Sequence, residues 1–438
     1  MTVRTERLPY GVGRLTGGWY TLIGVLLAFV VLGLYAYSRQ LAVGEAVTGM
    51  RDIGTMGGAA WGLYVAFVVY FVGVSFAGIT VAALIRLMNL EFLKPIARMA
   101  EVLTVIALIL GAFSILADVG RPLRAILNLF RYARPQSPFF GTFTLVISGY
   151  LFASLVYLYL DGRRDAALLA RIPGKLQGFY RAWAAGYRDT PAERERHERA
   201  SFWLAIAILP LLVTAHSTLG FVFGIQVGRP GWFSALQAPG FVLLAGVSGV
   251  GLLIVIAAIL RKVLNVPDQL SPEVFRWLAN FLMVLTVAYL YFVIVELLTT
   301  TYAAHYHEVE VSRALLVGEY AWLYWASLAF LVVPFLVLFA QFITQRYNLT
   351  LIVLSGMLVN LAAIGKRYLI VVPSQTHGTL LPYGTGAYAP TWVEYSIVLG
   401  LFALGALLFV LFVKLFPIME VPETLVSEGA AQQVIEGG

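Results

Sequence analysis

Apolar residues in this chain come in runs of about twenty, broken by short polar stretches, and the period-two alternation of half-buried strands is absent. Ten runs suffice to cross a hydrocarbon core, which takes about 20 apolar residues; they fall at roughly 17–37, 57–84, 99–117, 139–160, 202–224, 239–260, 277–299, 320–343, 348–370 and 394–416. Helices are the form such runs take, because in lipid each backbone N–H and C=O must be satisfied within the segment and the runs are too long for barrel strands. The expected fold is an all-α integral membrane domain over 17–416, with a long loop at 161–201, a second at 371–393, and tails at 1–16 and 417–438.

Local signals refine this picture. Span two carries Gly58 and Gly62 at the small-xxx-small spacing that lets helices approach closely, and Gly73 and Gly78 further on. The 161–201 loop predicts an interfacial amphipathic helix around Lys175–Tyr187. The proline- and glycine-bearing segment 373–391 reads as an ordered lid or docking surface.

The chain is 60% hydrophobic and 12% charged, against roughly 25% charged in soluble domains. So little charge could not cover a soluble surface, which makes this a multi-pass membrane protein. It has no cysteine, which removes disulfides, thiolate metal sites and any iron–sulfur cluster bound within this chain. The net charge of +7 does not point to nucleic acid, since the basic residues sit between the apolar runs, where topology and lipid headgroups account for them. Of 30 lysines and arginines, 20 fall on the side that holds both termini, so both termini are expected in the cytoplasm. The polar, basic stretch 1–18 is too long for the start of a cleaved secretory signal.

With that topology, the ionisable residues gather in the outer half. Asp118 closes span three, His216 lies well out along span five, and Glu296 sits near the outer end of span seven. Glu319 opens span eight, Lys366 and Arg367 lie in the outer part of span nine, and Glu394 begins span ten. The inner half has Glu101. Ionisable groups at depth are functional candidates by default, and several at one level suggest a shared pocket. Blander readings compete at each position. Glu319 and Glu394 could mark the interface, Lys366 and Arg367 could snorkel, Asp118 could pair with Arg121, His216 could be a hydrogen-bonded packing residue, and Glu296 could pair with Arg367.

Haem b in a bundle needs two axial side chains, and of five histidines His216 alone lies inside a span. Nucleotide-binding motifs are absent. What the chain can supply is a dry pocket where a diffusing redox carrier, a quinol, gives up its protons.

Several short stretches resemble one family. Asp118-Val119-Gly120-Arg121-Pro122 resembles a D-[LV]-G-R-P turn, and Ser137-Pro138 before Gly141 an S-P-x-x-x-G start to the next helix. His216 precedes Gly228-Arg229-Pro230-Gly231-Trp232, Pro239 and Gly249 follow, and Tyr388 to Glu394 reads Y-x-P-[ST]-x-x-E. In this order the set is similar to the NrfD, or polysulfide reductase membrane subunit, family in its ten-helix branch, which includes membrane subunits of a hydrogenase and of alternative complex III. The resemblance implies two four-helix bundles, spans two to five and six to nine, with spans one and ten peripheral. It also implies a quinone-reactive subunit without its own haem or cluster, using menaquinone or ubiquinone in a bacterial or archaeal cytoplasmic membrane. An iron–sulfur subunit would dock on the extracytoplasmic face, alongside further catalytic or cytochrome subunits.

On this reading Asp118, His216 and Glu296 handle protons, Arg121 holds Asp118 ionised, and Gly120, Arg367 and Trp232 help form the quinone pocket. Some relatives carry another histidine in span three; the stretch LILGAFSILAD has none, which directs attention to His216 and Glu296. The alternatives are an ion- or proton-translocating protein, or a structural membrane anchor for an extracytoplasmic complex.

Overall fold

The computed structural model describes residues 8–50, 58–132, 134, 136–137, 142–377 and 386–421. Its regular elements are helices, with no strand among the described residues. In chain order the first are α1 (Gly17–Val43), α2 (Leu63–Leu87), α3 (Lys94–Asp118), α4 (Pro122–Tyr132), α5 (Thr144–Leu169), α6 (Gln177–Ala184) and α7 (Pro191–Gly224). They continue as α8 (Gln237–Val263), α9 (Pro272–Ala303), α10 (Tyr306–Leu316), α11 (Ala321–Thr344), α12 (Leu349–Val371), α13 (Pro373–Thr376) and α14 (Trp392–Leu415). Ten of these, all but α4, α6, α10 and α13, are long and apolar enough to cross a membrane. Their outward faces carry exposed Leu22, Leu34, Phe152, Val213, Leu298 and Leu336, as a hydrocarbon solvent allows.

The helices pack as two bundles. α2, α3, α5 and α7 form one; α8, α9, α11 and α12 form the other; α2 and α7 meet α8, and α2 also meets α12, along the seam. α1 and α14 pair with each other and lean on α3. In the first bundle Gly78 allows α2 and α3 to touch, since a methyl group there would overlap the Ala100 carbonyl and the Thr104 hydroxyl. The expected Gly58–Gly62 packing pair is corrected. Both residues precede α2, and the space beside Gly62 is filled by the Tyr388 phenol, so this glycine serves a loop–ring contact.

The long polar loop is largely helical. α7 starts at Pro191, well before the apolar run, because Thr190 and Glu193 form a capping box: the Thr190 hydroxyl accepts from Glu193 N (3.3 Å) and the carboxylate accepts from Thr190 N (3.3 Å). α6 falls inside the stretch where an interfacial helix is expected. At this end of the bundles Arg98, buried, donates to Asp161 (2.8 Å), Asp165 (2.8 Å) and the carbonyls of Pro417 (3.0 Å) and Met419 (3.2 Å), strapping the residues after α14 onto α3 and α5. Residues 378–385, part of the expected lid, and 422–438, most of the C-terminal tail, lie outside the described residues.

Candidate functional site

At the end of the bundles away from the termini, α1 and α3 finish while α2 and α14 begin, and side chains from all four meet. Gln40, a buried amide in the last turns of apolar α1, organises the corner. Its Nε2 donates to Glu45 Oε1 (3.1 Å) and to the Ala117 carbonyl (2.8 Å), and its Oε1 accepts from the Tyr64 hydroxyl (2.7 Å). Glu394, fully buried, accepts from Gly49 N (2.7 Å), Thr391 N (2.9 Å) and the Tyr388 hydroxyl, while that hydroxyl accepts from Leu63 N (2.7 Å). Asp118 ends α3 against this network. The charges whose fields reach it are those of Glu45 and Glu394.

Two carboxylate oxygens here are buried without a hydrogen-bond partner: Asp118 Oδ1 and Glu45 Oε2. Burial pushes the Glu45 carboxyl above the usual carboxylate range, with the Gln40 hydrogen bond pulling the other way. Burial and neighbouring Glu394 push the Tyr388 phenol upward, so it stays a donor. The expected ion pair between Asp118 and Arg121 is not formed. Arg121 is exposed where α4 begins, and no ion pair joins it to Asp118 among the described residues. Gly120 leaves room for Glu45, whose Oε1 would lie 3.1 Å from a Cβ at that position.

Glu296 belongs to a different place. It lines a cavity of about 80 Å³ between α9, α10, α11 and α12, together with Lys366, Tyr324, Ser374 and Trp232. It also lines an adjoining cavity of about 20 Å³ with Gln237, Tyr289 and Arg367. Gln237 Nε2 reaches Glu296 Oε1 at 3.4 Å. The cation whose field reaches Glu296 is Lys366, yet no Lys366–Glu296 pair closes to 4 Å among the described residues. Arg367 instead lies over the Phe241 ring (4.2 Å) and donates to the Phe241 carbonyl (3.2 Å), leaving Nη1 buried without a partner. Trp232 is tied down by its Nε1–H donating to the Ile370 carbonyl and by stacking on Trp61 at 5.6 Å.

His216 lies in neither place. It is buried in the first bundle, edge-on to Phe76 and Tyr150, and its two ring nitrogens face the carbonyls of Leu212 and Val72 at 2.8 Å each. A neutral ring has one N–H and can donate to only one of these carbonyls, so the contact ties α7 to α2 only when Nε2 carries the hydrogen.

The outer acids therefore divide. Asp118 and Gly120 share one corner with Glu45 and Glu394; Glu296, Arg367 and Trp232 share the second-bundle cavity; His216 stands apart. Sequence reasoning passed over Glu45, which reads as an interfacial charge just past span one. The available signal was Gln40, five residues earlier, an amide in the last turns of the first helix just past its apolar run. Among the described residues no three of His, Asp and Glu are grouped as metal ligands would be.

This architecture has relatives. A family model described as polysulphide reductase, NrfD, matches residues 52–378. The chain belongs to the NrfD family. This NrfD chain is 30% identical over 425 residues, 93% of it and 92% of the relative, to a Halobacterium salinarum protein assigned provisionally as a membrane subunit of dimethyl sulfoxide reductase. It is 25% identical over 433 residues, 95% of it and 96% of the relative, to the Hdr-like menaquinol oxidoreductase integral membrane subunit of Archaeoglobus fulgidus. To a selenate reductase subunit of Mesobacillus selenatarsenatis it is 24% identical over 415 residues, 91% of it and 94% of the relative.

Proposed function

We propose that this chain is the quinone-reactive membrane subunit of a respiratory oxidoreductase complex, with its proton-accepting site at the Asp118 corner. The supporting observation is the pair of buried, unpartnered carboxylate oxygens on Asp118 and Glu45, in a relative of a menaquinol oxidoreductase membrane subunit. A quinol oxidised to quinone releases two protons and two electrons. Asp118 takes one proton and Glu45 the other, through the oxygens that no protein donor occupies. Glu394 and the Tyr388 hydroxyl hold the backbone of the corner in place, and His216 positions α2 against α7. A partner subunit docked at this end, the end the loop charge bias favours as extracytoplasmic, would take the two electrons on an iron–sulfur cluster. The same residues serve quinone reduction with the steps reversed.

The test is Asp118→Asn in the assembled complex. The amide keeps the shape and cannot take a proton, so quinol turnover falls by about 100-fold or more while the complex still assembles. Turnover within a few-fold of the unaltered complex removes Asp118 from the mechanism.

A further inference from the structure

The second bundle holds polar atoms that its own hydrogen bonds leave without a partner and that the Asp118 corner does not use. Lys366 is 8% exposed, Arg367 2% and Ser374 2%, and all three line the joined cavities around Glu296. Arg367 Nη1 and Ser374 Oγ have no hydrogen-bond partner, and the Lys366 ammonium contacts the Tyr324 ring face at 5.0 Å while standing off from Glu296. Buried donors left like this cost free energy unless something else accepts from them. Much of the remaining wall is apolar, with Val293, Leu315, Leu369 and Ile370 beside Thr300 and Ser312.

Charge decides which ligand fits. Lys366 and Arg367 supply two positive charges, and Glu296 and Glu308 two negative ones around the same space. A phosphate or carboxylate would gain from the cations and lose to the acids, so this cavity suits a neutral molecule. That molecule must offer acceptor oxygens to Lys366 and Ser374 and, in another state, a hydroxyl to Glu296. A quinone head does both: its carbonyls accept when oxidised, its hydroxyls donate when reduced, and it is neutral in each form. Leu297 lines the cavity and is 37% exposed on the outer face of α9, which gives a lipid-soluble ligand a way in.

We infer that the second bundle carries its own quinone head-group site, formed by Glu296, Lys366 and Ser374 and separate from the Asp118 corner. The inference rests on the reading of this chain as quinone-reactive. A photoreactive naphthoquinone analogue, applied to the intact complex in native membranes and followed by peptide mapping, separates the two. The expected result is label in two regions, one around Asp118 and one within 293–316 or 366–374. Lys366→Met lowers the second label by about tenfold, as the loss of one charge-assisted hydrogen bond implies, and leaves the first unchanged. Should Lys366→Met fail to assemble, Ser374→Ala, which removes only a hydroxyl, lowers the second label several-fold in the same way. Label confined to the Asp118 region overturns the second site and leaves the proposed function standing. Label in neither region, at analogue concentrations that inhibit turnover, overturns both.

Discussion

At the corner where α1, α2, α3 and α14 meet, three carboxylates gather with no cation paired to them among the described residues; two backbone amides and the Tyr388 hydroxyl take both oxygens of Glu394, and Gln40 takes one of Glu45. In the cavity between α9, α10, α11 and α12, acids and bases are balanced, a gap separates them, and the unsatisfied atoms are donors. An acid-only corner with free carboxylate oxygens is suited to taking up protons, since each proton gained relieves repulsion between neighbours. A charge-balanced, partly apolar cavity is suited to holding a neutral molecule. On these proposed roles, similar depth in the membrane would host two chemistries, and the variants below test whether they are as separate as the geometry makes them.

The largest expected effect is the contrast between Asp118→Asn and Glu296→Gln in the same complex. The first removes a proton acceptor and lowers quinol turnover by about 100-fold or more; the second weakens ligand binding and costs about tenfold or less. Steady-state turnover with a soluble quinol analogue checks both. Equal losses would merge the two sites into one.

Next comes pH. Burial raises the Glu45 carboxyl, so it holds its proton to a higher pH than an ordinary glutamate, and its base form disappears as pH falls through that raised value. The acidic limb of kcat/KM should therefore lie above the usual carboxylate range of about 4.3. In Glu45→Gln the residual turnover should no longer fall through that window. A limb that stays in place assigns the titration elsewhere and leaves Glu45 a structural residue.

The spans were legible because hydrocarbon accepts a long apolar helix and little else, so ten runs of hydropathy translate directly into ten helices. Family motifs carried the two-bundle arrangement, which hydropathy alone does not contain. Depth was legible too, but not direction around each helix axis. Asp118 and Glu296 each close a span on the same side, yet one faces Glu45 and Glu394 and the other faces Lys366. Which face a residue presents depends on which neighbours a helix finds, and in lipid both faces of a helix can be apolar. His216 shows the same limit. Its position suggested a proton acceptor, and the fold sets it apart from the outer acids, with its two ring nitrogens facing the carbonyls of Leu212 and, across the seam of α2 and α7, Val72. Glu45 was hidden for the opposite reason: it lies just outside the span, where charges are ordinary, and only the fold brings Gln40 and Asp118 to it.

A smaller effect belongs to Tyr388→Phe. The phenol bridges Leu63 N and Glu394, so its loss leaves a buried N–H and a carboxylate oxygen short of a partner at the start of α2. The expected cost is about 1–3 kcal/mol in thermal unfolding of the solubilised protein. The label in the second bundle should be untouched, because no group of that cavity contacts this hydroxyl among the described residues.

The smallest effect expected is that of Trp232→Phe, and it bears most directly on the independence of the two regions. Trp232 precedes α8 and is tied to α12 through the Ile370 carbonyl, while its ring stacks on Trp61 at the approach to α2, which Gln375 holds through both its amide atoms. It is therefore the residue through which a disturbance in one region would reach the other. Phenylalanine keeps a ring against Trp61 and Phe223 and loses the N–H, so the carbonyl of Ile370 goes without that donor, at a cost of about 1 kcal/mol. If the regions act separately, quinol turnover should stay within about threefold, since a change of that size in one wall does not reach Asp118. Photolabel in the second bundle should shift between neighbouring residues as the wall loosens. If turnover instead collapses as far as it does in Asp118→Asn, the indole couples the two regions, and the acid corner and the balanced cavity work as one extended site.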